Sequence, residues 1–214
     1  MRSSQITNAL LALSVPLLAG TASASTFEAR DVQLTAQQIE AIAPTSNTCD
    51  GAPIPEECAT SEQAALNIAK SFETYEVTSP AEQAAVIGLM AFESGDFKYN
   101  HNQGNPGQGT RNMQSPAFNA QYAASLTSIA DQAVALAADP VGLLNLLVGD
   151  ETIDFGSGAW FLTTQCTPDV RTQLQTGSAA GWAAFVSGCV GTDASGDRQA
   201  YWQRAAEALG VQTA

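Results

Sequence analysis

The segment from Ser79 to Gly95 constrains this chain more than any other. Ser79-Pro80 is a helix start, because serine caps the first free N–H groups and proline at the first helical position loses nothing. Ala84, Ala85, Ile87, Gly88, Leu89, Met90, Ala91 and Phe92 follow. A helix apolar nearly all round needs cover on every side, so it belongs at the centre of a fold. Glu93-Ser94-Gly95 closes it, with Gly95 as the stop. Strand patterning is weak throughout, and at most a small hairpin fits between Gly107 and Ser115. The expected class is mainly α.

Other elements can cover that helix. Thr35 caps a short stretch reaching Ala43 and stopping at Pro44. Thr60 with Gln63 forms a capping box ahead of an apolar stripe of Ala65, Leu66, Ile68, Ala69 and Phe72. Helical patterning returns over 119–138, ending before Pro140, and again over 141–148. Asp154-Phe155-Gly156-Ser157 leads into a helix through Trp160 and Phe161 that ends near Cys166. Short helices are expected over 169–175 and 181–187, and a last one over 198–209 before Gly210. Trp160, Phe161, Trp182 and Trp202 read as core.

Arg2, the apolar run from Ala9 to Ala19 and the small residues Ala22-Ser23-Ala24 read as a secretory leader over residues 1–24. Residues 25–58 then form a lead-in with a disulfide-closed loop, and residues 59–214 a single domain. Cys49, Cys58, Cys166 and Cys189 are even in number, which in an exported chain argues for two disulfides. Three pairings exist, and proximity favours Cys49–Cys58 with Cys166–Cys189. The sequence carries 8 basic and 21 acidic residues, net −13, and removal of the leader leaves −14. Such acidity argues against nucleic acid and anionic membranes as partners. A secreted, extracellular monomer is expected. HExxH, P-loop and dinucleotide-binding patterns are lacking, so no metal or cofactor is expected.

Glu93 is the carboxyl with the most telling position. A carboxyl at the end of an apolar helix loses hydration and feels the negative end of the helix dipole, and both favour its protonated form. A protonated carboxyl is what a glycosidic general acid requires. A second carboxylate would come from Asp154 first and Asp96 next, or from neither. Asp154 also reads as a helix N-cap.

Glu93-Ser94-Gly95, followed by Gly107-Gln108-Gly109-Thr110-Arg111-Asn112-Met113-Gln114, resembles the lysozyme superfamily, above all its goose-type lysozyme and lytic transglycosylase branch. The Phe92-to-Gln114 segment and Ser157-Gly158-Ala159-Trp160-Phe161 also look like secreted fungal muramidase-like proteins. Family members usually carry Gly-Leu before Met-Gln, where this chain has Arg111-Asn112. The resemblance implies a lysozyme-like fold with a small hairpin. It also implies a secreted glycoside hydrolase that cleaves β-1,4 bonds of peptidoglycan with Glu93 as acid. Tyr99, His101, Asn102, Asn112, Met113 and Gln114 would then grip the polysaccharide. The alternatives are another glycan, such as chitin, chitosan or mannan, or a non-catalytic secreted carbohydrate-binding or interaction protein.

Overall fold

The computed structural model describes residues 34–213, so the leader expected over residues 1–24 lies outside the described residues. The centre is α3 (Pro80–Glu93), with Pro80 in the first turn and Ser94 as its C-cap. Ala81, Glu82 and every residue from Ala84 to Ala91 are buried. Full burial of a side chain such as Ile87 or Leu89 contributes about 1.5–3 kcal/mol, so this one helix anchors the core. Gly95 follows with φ 57 and turns the chain away.

Two local signals set the covering helices α1 (Ala36–Ile42) and α2 (Ser61–Thr74). Thr35 with Gln38 and Thr60 with Gln63 form complete capping boxes. The end of α10 (Asp197–Ala208) joins α1 through Gln38 Nε2, which donates to Ala208 O at 3.1 Å, and through Arg204 Nε, which donates to Ile42 O at 2.9 Å. α10 crosses α3 at Gly88, where a Cβ would lie 2.8 Å from the Trp202 Cα. Only glycine lets the two backbones approach this closely. The Trp182 and Trp202 rings stack at 5.4 Å with 8° between planes, tying α9 (Ala179–Ala183) to α10.

α2 packs on α7 (Glu151–Gln165), which passes beside α3. Asp150 takes the N-cap of α7, accepting from Thr152 N and Ile153 N. Asp154 is therefore inside the helix rather than its cap. A second difference concerns the helix expected over 119–138. Helix α4 (Pro116–Ser125) starts earlier, because Ser115-Pro116 is itself a start signal. It breaks at Leu126, which is extended, and the chain resumes as α5 (Ala130–Ala135). Helices α6 (Pro140–Val148) and α8 (Pro168–Leu174) each begin on a side-chain cap followed by proline. The last short helix expected from sequence is α9 running into a π-helical turn, Ala184–Val190.

The two disulfides are Cys49–Cys58 and Cys166–Cys189, with Cα separations of 5.9 and 5.4 Å. Among the described residues the expected hairpin is reduced to isolated bridges, His101 to Gly109 and Gly109 to Gln114. Mainly helical architecture and both bridges agree with the sequence reading. No helix among the described residues is long and apolar enough to cross a membrane.

Candidate functional site

The irregular stretch from Gly95 to Ser115 links α3 to α4. It holds four non-glycine residues in left-handed backbone, Asp96, Phe97, Thr110 and Met113, with φ of 57, 63, 60 and 47. For a β-branched residue such as Thr110 this is a true outlier. Strain of this kind persists only where the surroundings over-determine it, and it collects at functional sites.

Asp154 and Arg111 supply that constraint. Asp154 is 1% exposed. Its Oδ1 accepts from Arg111 N at 3.0 Å and its Oδ2 from Asn100 Nδ2 at 3.1 Å. Arg111 Nε lies 2.9 Å from the same Oδ2, at an angle that makes the contact an ion pair rather than a hydrogen bond. Arg111 Nη1 donates to Phe97 O and Tyr99 O, and the guanidinium covers the Phe155 ring at 4.9 Å. Burial pushes the Asp154 carboxyl above the usual carboxylate range, and Arg111 and Asn100 pull back against it. Close approach also dictates Gly109: a Cβ there would meet Asn100 O at 2.4 Å.

Asp96 belongs to a different set of contacts. It accepts from Thr45 N at 2.9 Å, Thr45 Oγ1 at 2.8 Å and Tyr201 OH at 2.6 Å. Burial, then the bond to Asp96, pushes the Tyr201 hydroxyl up to about 12. Glu93 is different again. It is ion-paired with Arg198 Nε at 2.8 Å and 21% exposed, with Arg198 lying over the Phe92 ring. The lone desolvated carboxyl expected at the end of α3 is therefore a paired, partly hydrated one, because α10 brings a guanidinium to it.

The exposed chemistry of the loop gathers at His101, whose side chain is 28% exposed. Its Nδ1 lies 2.7 Å from Asn100 Oδ1 and 3.3 Å from Glu57 Oε1, and its Nε2 lies 3.0 Å from Asn145 Oδ1. Asn100 spends its NH₂ on Asp154, so its oxygen faces the ring and Nδ1 carries the donated proton. Glu57 Oε2 accepts from the backbone N–H groups of Asn100 and His101 at 3.1 and 3.2 Å. Asn145 also lines an open depression of 380 Å³, with Ile129, Leu146, Asp150 and Ile153 among its walls.

The other residues singled out from sequence do not line the depression beside Asn145. Asn102 closes its own turn, accepting from Gly104 N and Asn105 N. Tyr99 and Asn112 are half-buried, and Met113 and Gln114 are buried. Both amide atoms of Gln114 lack a protein partner. Sequence reasoning passed over Glu57, Asn100, Arg111, Asn145 and Arg198. Their partners are distant in sequence, so no spacing rule marks them; Arg111 alone left a trace, as the basic residue that departs from the Gly-Leu of the lysozyme pattern.

No protein-family model matches the chain, and no solved structure matches it. A curated protein of Fusarium oxysporum (strain Fo5176), named bifunctional dioxygenase (DOX)-epoxy alcohol synthase (EAS), is 46% identical over 159 residues. The match covers 70% of this chain and 12% of that protein, so this chain spans about an eighth of its relative's length. This finding corrects the resemblance to lysozymes. The relative is named for dioxygenase and epoxy alcohol synthase chemistry, not for glycoside hydrolysis. The muramidase reading and the peptidoglycan substrate fall with it, as does the glycosidase alternative on another glycan. The physical source of the error is local: Gly107 and Gly109 are required by contacts with Pro140 and Asn100, so the glycine-rich turn has a packing explanation.

Proposed function

We propose that the folded unit is a helical module related to one segment of a dioxygenase–epoxy alcohol synthase protein. In this reading its site at His101 takes up a hydroxyl-bearing oxygenated molecule of the epoxy alcohol type, and oxygen activation happens elsewhere. The observation that carries the site is the partly exposed imidazole held among Glu57, Asn100 and Asn145. An imidazole with a carboxylate behind it can bind a hydroxyl and pass a proton to or from it. The neighbouring depression, with Ile129, Leu146 and Ile153 beside Asn145 and Asp150, suits a molecule with an apolar body and a polar end.

Residue inventory supports the division of labour. Dioxygen chemistry is normally carried by haem, flavin, copper or non-haem iron. This chain has one histidine, and its four cysteines are all in disulfides. A proximal thiolate is therefore lacking, and so is a two-histidine iron triad. A haem could find only His101 as a histidine ligand. Export to an oxidising compartment is part of the same reading, since two disulfides persist best there.

The test is a titration of the purified chain with a straight-chain epoxy alcohol, following the imidazole signals of the sole histidine by NMR, with dioxygen uptake recorded in parallel. A saturable shift in wild type, abolished when Asn145→Ala removes the amide facing Nε2, with no dioxygen uptake, is the expected result. No saturable shift would remove the ligand class. Dioxygen consumption by the chain alone would overturn the separation from oxygen activation.

A further inference from the structure

The two disulfides sit in unlike surroundings. Cys166 is buried against the core and its partner Cys189 is half-buried, whereas Cys49 and Cys58 are both half-buried, Cys49 next to exposed Asp50 and Cys58 next to half-buried Glu57. From Asp50 to Cys58, every backbone N–H hydrogen bond among the described residues is local: Asp50 to Thr48 Oγ1, Ala52 to Cys49, Glu57 to Ile54 and Cys58 to Pro55. None of the residues from Asp50 to Cys58 is buried, and the chain is next pinned at Ala59, whose N–H donates to Phe97 O. The bridge is the covalent restraint on this segment, which is otherwise held from a distance through the Glu57 carboxylate. Glu57, next to Cys58, is the carboxylate that accepts from the Asn100 and His101 N–H groups and faces the imidazole.

Lys98 adds the chemistry. Its Nζ donates to Thr45 O and Thr48 O and lies 3.8 Å from Cys58 Sγ. A fixed ammonium beside a sulfur favours the thiolate there, and a better leaving thiolate speeds exchange.

We propose that Cys49–Cys58 is a thiol-exchangeable bridge whose opening by a dithiol releases Glu57 from the His101 site. In the exchange the dithiol's thiolate attacks Cys49 Sγ and the Cys49–Cys58 bond breaks. Cys58 leaves as a thiolate beside Lys98. The reductant's second thiol then displaces Cys49 as a thiol and closes as a cyclic disulfide, so one disulfide is consumed and one is formed. Cys166–Cys189 stays closed. The inference concerns the hold on His101 and does not depend on which molecule the site takes.

The full chain is treated with graded dithiothreitol and a thiol-alkylating agent, and the modified cysteines are mapped by mass spectrometry. Amide hydrogen exchange and the His101 imidazole signals are read at fixed pH. Expected is complete alkylation of Cys49 and Cys58 while the other pair remains bridged. The Asn100 and His101 amides should then lose protection, and the imidazole signals should shift. Cys49→Ser with Cys58→Ser should reproduce both changes without reductant, and Lys98→Met should slow the opening. Equal opening of the two bridges, unchanged Asn100 and His101 signals after selective opening, or loss of the Trp182–Trp202 near-ultraviolet signal in the double variant would each overturn the proposal.

Discussion

Asp154 and Glu93 are both acidic residues paired with arginine, but the two pairs do different work. Asp154–Arg111 is sealed, with side chains 1% and 4% exposed, and it reaches the loop through the Arg111 backbone, Asn100, Phe97 and Tyr99. Glu93–Arg198 is about a fifth exposed on both sides and joins two helix ends. Water can replace either partner in the second pair; nothing replaces a partner in the first. An arginine–carboxylate contact is therefore architecture in one place and trimming in the other, and burial decides which.

Breaking the sealed pair gives the largest expected effect. Asp154→Ala leaves a guanidinium buried without its counter-ion, and the cost should be about 3–5 kcal/mol, read as a fall in the urea midpoint with little change in slope. Asp96 sharpens the comparison, being buried like Asp154 but served by hydroxyl and backbone donors instead of a cation. Asp96→Ala should cost about 2–3 kcal/mol in the same measurement. Glu93→Gln is the smallest step, about 0–1 kcal/mol, and it should shrink further in added salt. A Glu93 effect as large as that of Asp154 would show that exposure does not separate the two pairs.

The parts of this fold that sequence made legible are those whose physics is local. Thr60 finds Gln63 three residues on, Ser79-Pro80 starts α3, and Cys49 lies near Cys58, so caps, helix ends and bridges could be read directly. The site depends on distant encounters. Arg111 N meets Asp154 across 43 positions and Arg198 meets Glu93 across 105, and no periodicity carries that information. The break at Leu126 carries no glycine or proline, only the weaker signal of Ser125, Thr127 and Ser128 around it. The lysozyme resemblance failed for a related reason. A helix end followed by a glycine turn is a common solution to a backbone problem, and the short motif reported that solution rather than a chemistry.

The contact between α1 and α10 carries a consequence for how such a unit can be used. Gln38 reaches Ala208 and Arg204 reaches Ile42, so the first and last described helices lie side by side. A polypeptide entering at one and departing from the other does so on a shared flank. Adjacent entry and exit of this kind is what lets a folded unit be inserted within a longer polypeptide.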